Sequence, residues 1–173
     1  MNRRTMSRLS LALAAVVAVL FWFPGCGKGA SETAAKPATP SLPPPLPPTG
    51  FKAEITVAKP PARLKVNESI VLDVTVRNLG DAAWPHKGGP GAANGVLLSY
   101  HWLPAGGSLP AIDGIRTNLP SDLSPGAVVA LRSTVKAPDK PGSYVLEFDM
   151  VQEAIAWFKD RGSNAVRFDV TVE

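Results

Sequence analysis

Residues 74–85 read V-T-V-R-N-L-G-D-A-A-W-P, which is the end of a strand, an Asn-x-Gly turn and a tryptophan. In the run that leads into this stretch, apolar residues occupy positions 70, 72, 74 and 76, and polar or charged residues occupy positions 73, 75 and 77. This period of two predicts a strand with one buried and one hydrated face. Asn78 and Gly80 both tolerate positive φ angles, so we expect the chain to turn there.

A second stretch, residues 141–161, begins P-G-S-Y-V-L-E-F-D-M. Its apolar side chains alternate with Glu147 and Asp149, which again predicts a strand with one hydrated face. Tyr144 follows a Pro-Gly turn at the start of this strand. That position predicts a tyrosine corner, in which the hydroxyl bonds back to the connecting loop.

Similar short segments recur between Pro/Gly turns, and no segment has a long 3.6-residue period. The pattern predicts an all-β fold, an immunoglobulin-like antiparallel β-sandwich of about seven strands, over residues 51–173. The first strand should lie at a sheet edge, because Pro60 and Pro61 follow it. The expected strands are residues 53–58, 69–77, 96–103, 111–119, 127–135, 144–150 and 165–172.

The N-terminus has the features of a secretory signal peptide over residues 1–25. Arg3, Arg4 and Arg8 precede fifteen uncharged residues, 9–23, which is short for a membrane span of about 20 apolar residues. An uncleaved anchor is the alternative. The chain then has its single cysteine, Cys26, so an internal disulfide is excluded.

The sequence F-P-G-C-G at residues 23–27 resembles the lipobox of bacterial lipoproteins. The resemblance implies that Cys26 carries a lipid that holds an exported protein at a membrane. An incidental thiol is the alternative interpretation. Gly27 is not the aspartate typical of inner-membrane retention, so the resemblance favours the outer membrane in a cell that has two.

Residues 26–50 are expected to be a disordered tether that begins at the lipidated cysteine. Seven prolines lie in residues 27–50, and residues 40–48 read P-S-L-P-P-P-L-P-P. Such a run favours polyproline II, with a rise of about 3.1 Å per residue. We interpret it as a spacer, and the alternative is a docking ligand for a proline-binding domain.

The charge balance argues against nucleic-acid binding. The formal net charge is +4, but three of the 18 basic residues are Arg3, Arg4 and Arg8, and the remaining basic residues nearly equal the 14 acidic ones. A nucleic-acid surface needs a clustered excess of Lys and Arg. We therefore expect neither DNA nor RNA as a partner.

Several short motifs together resemble the four-tryptophan immunoglobulin-like domain family. They are N-L-G at 78–80, W-P at 84–85, L-S-Y-H-W at 98–102, P-G-x-Y-x-L at 141–146 and W-F-x-D-x-G at 157–162. The resemblance covers residues 65–173, in which we find three tryptophans and no fourth. It implies a sandwich with an accessory or interaction role, and no reaction.

The three tryptophans, Trp84, Trp102 and Trp157, have two interpretations. Tryptophans in a sandwich usually fill the core. Alternatively, one or more line a surface for a glycan or a peptide. Phe158 follows Trp157, and neighbouring side chains on a strand point to opposite faces, so one of these two rings could be exposed. The polar contacts of such a surface would come from His86, Asp160 and Arg161.

The candidates for catalysis are few. Glu147 and Asp149 lie on one strand face and could act as the paired carboxylates of an envelope hydrolase, although alternating charges on a hydrated face are ordinary. His86 and His101 are the only imidazoles, and no G-x-S-x-G elbow is present. Two histidines without a second thiolate predict no metal site.

The sequence therefore predicts a protein that is not an enzyme and needs no cofactor. We expect a membrane-tethered binding or assembly module at the bacterial cell envelope, with an envelope protein or a glycan as its partner. A carbohydrate-binding module that uses exposed aromatic rings is the first alternative. A hydrolase that uses Glu147 and Asp149 is the second.

Overall fold

The computed structural model describes residues 42–105 and 111–173. The predicted signal peptide, Cys26 and the tether up to residue 41 lie outside the described residues. Within them the regular secondary structure consists of strands and three short 3₁₀ helices, and the strands form two sheets. The predicted all-β sandwich is confirmed.

The strands are β1 (Ala53–Val57), β2 (Arg63–Leu64), β3 (Ser69–Asn78), β4 (Val96–Pro104), β5 (Ile112–Asp113), β6 (Thr117–Asn118), β7 (Val128–Lys136), β8 (Gly142–Gln152), β9 (Ala156–Trp157) and β10 (Val166–Val172). The first sheet has the order β1-β3-β7 and is antiparallel. The second has the order β2-β10-β8-β4-β5, with β6 against β4 and β9 against β8. In the second sheet, β2 runs parallel to β10, so this sheet is mixed.

Most predicted strands form where the period of two placed them, and β1 lies at a sheet edge as expected. The strand predicted over residues 111–119 is instead split into β5 and β6. Gly114 lies at the break, and its N–H donates to the Tyr100 carbonyl at 2.8 Å. A Cβ on Gly114 would lie 2.4 Å from the Tyr100 ring, so the chain crosses that ring too closely for a continuous strand.

The core lies between the sheets and is strongly aromatic. Leu72, Val74 and Val76 of β3 point into it, as their alternation predicts. The tyrosine corner is also confirmed, because the Tyr144 hydroxyl donates to the Lys140 carbonyl at 3.0 Å. A buried Tyr or Trp needs a partner for its polar end, and this bond provides one.

The central strands of the second sheet are buried on both faces. From Leu146 to Gln152 every residue of β8 is buried, and so are the first seven residues of β4. The hydrated face predicted for Glu147 and Asp149 is therefore wrong, since both side chains have no exposed surface. The chain after β8 folds back through β9 and the 3₁₀ helix Lys159–Arg161. The Lys159 backbone and side chain contact these two carboxylates.

The tether prediction is wrong for residues 42–50, which pack on the sandwich. Leu46 is buried, and its N–H donates to the Gln152 side-chain oxygen at 2.9 Å. The segment ends in a 3₁₀ helix, Pro48–Gly50, and Gly50 is buried as well. Prolines have no N–H to satisfy, so few side-chain partners suffice to hold such a segment. The folded unit consequently begins before Phe51.

Neither Asn78 nor Gly80 of the Asn-x-Gly turn has a positive φ angle; among the described residues, positive φ angles occur elsewhere. Asn78 holds the turn by its side chain instead. Its Nδ2 donates to the carbonyls of Ala82 and Leu123, both at 2.9 Å, and its Oδ1 accepts the Gly80 N–H at 2.8 Å. This is an Asx-type turn, in which a side chain replaces backbone partners.

Candidate functional site

The residues predicted as a binding surface lie in several separate places. Trp84 and Phe158 are fully buried, with ring centroids 5.0 Å apart, and Phe51 packs against Phe158 at 5.1 Å. Trp102 is 1% exposed and packs against Tyr100. These three predicted surface residues are all core residues, so the core interpretation is confirmed for Trp84 and Trp102, and the surface interpretation is wrong for all three. Their rings fill the space between the sheets, as large aromatic side chains usually do.

The polar members of the predicted surface have separate local roles. His86 contacts Asp122 through both its ring Nδ1, at 2.6 Å, and its backbone N–H, at 2.9 Å. The hydrogen bond from the His86 side chain lowers the pKa of Asp122. Asp160 and Arg161 lie in the 3₁₀ helix after β9, and the Arg161 guanidinium carbon lies 5.7 Å from the centroid of the Phe51 ring.

Trp157 is the remaining tryptophan, and it lies half-buried on the outer face of the second sheet. Its ring centroid is 4.0 Å from that of His101. The Arg116 guanidinium carbon lies 4.8 Å from the ring centroid, and the Lys159 ammonium lies 5.9 Å from it. Cations at such distances are attracted to the face of an indole. Trp157 thus belongs to a polar cluster that sequence reasoning did not assemble.

Arg116 is held firmly over this ring. Its Nε donates to Glu153 at 2.6 Å, and its Nη1 donates to the Ser99 hydroxyl at 3.0 Å and to the Gly114 carbonyl at 3.2 Å. Charge-assisted bonds of this kind are among the strong hydrogen bonds in proteins. Trp157 is therefore covered by a fixed side chain and does not offer a free stacking surface on that side.

Glu147 lies at the centre of the cluster. It accepts hydrogen bonds from the Lys159 ammonium and, at 2.6 Å, from the Arg167 Nε. Arg167 is its direct cross-strand neighbour on β10. Burial raises the pKa of Glu147, but the hydrogen bonds from Lys159 and Arg167 outweigh burial, and the pKa lies below its usual range. Glu147 is thus an ionised structural carboxylate.

Asp149 differs from Glu147 in its partners. It accepts two backbone N–H groups, from Met150 at 2.8 Å and from Lys159 at 3.0 Å. Burial raises its pKa to about 6, although these hydrogen bonds act in the opposite direction. The carboxylate anchors the return of the chain after β9, because it bonds to the backbone of Lys159.

His101 completes the cluster on β4. Its Nε2 lies 3.2 Å from the Asp113 Oδ1, whereas its Nδ1 is 3.6 Å from the Glu147 Oε1 and has no hydrogen-bond partner. Burial lowers the pKa of His101, and the positive charge of Lys159 lowers it further. The imidazole is therefore neutral at pH 7 and packs against Trp157.

This arrangement offers little for acid–base catalysis. A general acid or base must reach a proton of the substrate, directly or through one water. Glu147 and Asp149 have no exposed surface, and their oxygens already accept hydrogen bonds from the chain itself. Over residues 42–105 and 111–173, no group of three or more His, Cys, Asp or Glu side chains could hold a metal ion.

A cavity of about 440 Å³ lies at the other end of the sandwich from residues 42–50. It opens between β5 and the end of β7, and Tyr100 and Trp102 form part of its wall. Ile112 and Ile115 lie at this cavity with 44% and 45% of their surfaces exposed. Cavities of this size with apolar walls and a few polar groups are the usual form of a binding site. No motif in the sequence indicated this cavity, because residues 111–119 read as a strand.

None of the described helices is both long enough and apolar enough to cross a membrane.

No protein-family profile and no curated protein matches the chain. Among solved structures, it is similar to a β-glucosidase from Listeria innocua, with 15% identity and a TM-score of 0.44 over 70% of this chain. The chain spans only 16% of that β-glucosidase. A CARDB domain from Pyrococcus furiosus in complex with di-metal ions has 19% identity and a TM-score of 0.42, over 70% of this chain and 90% of that one. The DNA glycosylase AlkC from Pseudomonas fluorescens, bound to DNA, has 16% identity and a TM-score of 0.43, over 69% of this chain and 30% of that one.

Proposed function

We propose that this protein is a lipid-anchored, non-catalytic binding or assembly module at the bacterial cell envelope. The observation that carries the proposal is the state of the acid–base side chains. The ionised Glu147 carboxylate is paired with the Lys159 and Arg167 cations, and the Asp149 carboxylate accepts hydrogen bonds from two backbone N–H groups. These contacts make Glu147 and Asp149 structural carboxylates that stabilise the fold and do not face a substrate. The anchor and the export rest on the N-terminal sequence, namely Arg3, Arg4, Arg8, the apolar run and Cys26.

The cavity beside Ile112 and Ile115 is the surface that we assign to the partner. It combines apolar walls with Asp113, Lys136 and Asp139 at its edge. An apolar side chain from an envelope protein would bury the two isoleucines, and each buried methylene contributes about 0.8 kcal/mol.

A glycan partner is less well supported. Stacking against a sugar needs a free aromatic face, and among the predicted tryptophans Trp84 and Trp102 are buried. Trp157 is covered by Arg116, which Glu153 and Ser99 hold in place. Binding of purified envelope polysaccharide that is lost in Trp157→Ala would favour this alternative over our proposal.

The anchor is tested by metabolic labelling with radioactive palmitate. The wild-type chain should be labelled and should fractionate with membranes, whereas Cys26→Ala should lose the label. Equal labelling of the two proteins would contradict lipidation at Cys26. In a cell with two membranes, Gly27→Asp should keep the label and move the protein to the inner membrane.

The binding surface is tested with a matched pair of variants. Ile112→Asp places a charge at the mouth of the cavity, and Val128→Asp places one at a comparably exposed valine on β7, in the first sheet. Envelope proteins cross-linked by the wild type should be lost with Ile112→Asp and retained with Val128→Asp. If both variants cross-link the same proteins as the wild type, the cavity is not the binding surface.

A further inference from the structure

The proline-rich segment that precedes the domain is bound to the domain by side chains from distant parts of the chain. The Leu46 N–H donates to the Gln152 Oε1 at 2.9 Å, and the Gln152 Nε2 donates to the Pro44 carbonyl at 3.2 Å. The Asn94 Nδ2 donates to the Pro43 carbonyl at 2.7 Å. These partners are separated from the segment by 51 to 108 positions in sequence. The contacts are therefore tertiary and not a local turn.

The side chains of the segment are arranged as in a bound peptide. Leu46 is 8% exposed and belongs to the hydrophobic core, whereas Leu42 is 52% exposed. A cavity of about 180 Å³ remains between residues 43–47 and the surface formed by Ala82, Ala83 and Pro85. One apolar side chain is thus buried, while the prolines around it leave space against the domain.

The backbone of the segment suits polyproline II. Pro47 has φ −63° and ψ 158°, close to the values of that helix. A polyproline II chain makes no internal hydrogen bonds, so its carbonyls need outside donors. From Pro43 to Pro48, Leu46 has the only N–H, and Gln152 accepts it. Gln152 is itself fully buried and also donates to the Asn94 carbonyl at 3.0 Å, which orients its amide.

We propose that Ala82, Pro85, Asn94 and Gln152 form a recognition site for proline-rich segments of the form Pro-Pro-x-Leu-Pro. Residues 43–47 of this chain are its resident ligand. The leucine side chain occupies the apolar part of the site. The Gln152 amide binds the leucine N–H and the Pro44 carbonyl, and the Asn94 amide binds the Pro43 carbonyl. The proline run is therefore a docking ligand for the domain that it precedes.

One consequence rests on the proposed lipid anchor. While residues 42–50 are docked, only residues 27–41 of the chain lie between them and Cys26. Release of these nine residues would lengthen the chain between Cys26 and the sandwich by roughly 28 Å at the rise of polyproline II. Docking at this site would then set the distance that the domain reaches from the membrane.

Hydrogen exchange on the full chain tests the docking. The Leu46 amide should exchange much more slowly than in an unstructured peptide. In Asn94→Gly, exchange should be about fivefold faster, since one hydrogen bond of ordinary strength is lost. Glycine keeps the positive φ of 64° at this position. Exchange of the Val76 amide, on β3, should not change. A Leu46 amide that exchanges freely in the wild type would overturn the proposal.

Binding in trans tests the ligand class. The probe is a synthetic peptide of residues 41–50, S-L-P-P-P-L-P-P-T-G, added to the full chain that carries Leu46→Ser. Once circular dichroism shows that its sheet content matches that of the wild type, this variant should bind the peptide and gain thermal stability. The wild type should bind it at least tenfold more weakly because its site is occupied. Leu42→Ser, at the exposed leucine of the same segment, should behave as the wild type does.

Two altered peptides distinguish specific recognition from non-specific binding. A peptide with serine in place of Leu46 and one with alanine in place of Pro44 and Pro45 should each bind at least tenfold more weakly. Equal binding of the alanine peptide, or no binding of the original peptide by the variant with its sheet content unchanged, would overturn the assignment. These measurements use no membrane, so failure of the anchor proposal would not affect them.

Discussion

The indole N–H of Trp84 donates a hydrogen bond to the Gly50 carbonyl at 2.9 Å inside the core. This bond joins the tryptophan of the fold-defining stretch to the last residue of the proline-rich segment. Both groups are buried. The Trp84 backbone also pairs with Leu123. The tryptophan therefore ties together three separate parts of the chain.

Trp84→Phe should destabilise the protein by about 2–4 kcal/mol. The substitution leaves the buried Gly50 carbonyl without its donor and removes part of a ring that packs edge-on against Phe158. The change is measured as the free energy of unfolding in urea. A cost below 0.5 kcal/mol would show that water or a shifted chain replaces the bond.

Gly80→Ala should destabilise the protein by about 1–3 kcal/mol. A Cβ at Gly80 would lie 2.5 Å from the Gly50 carbonyl oxygen, so the backbone of one segment must move. Gly89→Ala is the control, because its Cβ would clash only with the exposed side chain of Leu42, which can move, and not with backbone. We expect a thermal shift for Gly80→Ala and little for Gly89→Ala. Equal shifts would mean that Gly80 does not hold the segment.

Lys159→Met should lower the free energy of unfolding by about 2–4 kcal/mol. Glu147→Gln should lower it by less, about 1–2 kcal/mol. Glu147 has no exposed surface, whereas the Lys159 and Arg167 side chains are 28% and 63% exposed. Loss of Lys159 leaves a buried carboxylate with one cation fewer, but loss of the Glu147 charge leaves two cations that can reach water. Urea unfolding of both variants decides the order. The reverse order would show that Arg167 alone neutralises Glu147.

Asp149→Asn should change the pH dependence of stability. The pKa of Asp149 is raised in the folded state, so ionisation costs stability as pH rises from about 4 to about 6. A pKa of about 6 corresponds to a cost of about 3 kcal/mol above pH 6.5. The stability of Asp149→Asn relative to the wild type should therefore increase over this range and then level off.

The relative measurement removes the contributions of two neighbours. The lowered pKa values of Glu147 and His101 act in the opposite direction, since both groups lose stability as pH falls. Both groups are present in the two proteins compared, so their contributions largely cancel. A stability difference that stays flat between pH 4 and pH 6.5 would contradict a raised pKa for Asp149.

Much of the fold could be predicted because the driving pattern is local. Alternation at residues 70–76 places Leu72, Val74 and Val76 on one face wherever the strand lies. Tyr144 could be identified from the Pro-Gly turn before it. Phe158 is buried and Trp157 is half-buried, but Phe158 lies after β9 with helical φ and ψ angles, so the strand alternation that we used does not apply to this pair.

The candidate site could not be predicted in the same way. Alternation shows that Glu147 and Asp149 share a face, but it does not show what covers that face. Arg167 becomes a neighbour of Glu147 only through the register of β8 against β10, and Arg116 covers Trp157 from a separate segment. Proline-rich composition also reads as disorder, because the partners Asn94 and Gln152 are far away in sequence.

The sequence by itself determined the positions of most strands, the inward face of β3 and the tyrosine corner, since each depends on residues within a few positions of one another. Only the tertiary structure decided that Trp84 and Trp102 are core residues, that Glu147 is buried among cations and that residues 42–50 belong to the folded unit. Each of these depends on which distant segments meet. Burial and hydrogen-bond partners across the sandwich are properties of the packed chain and not of any local pattern.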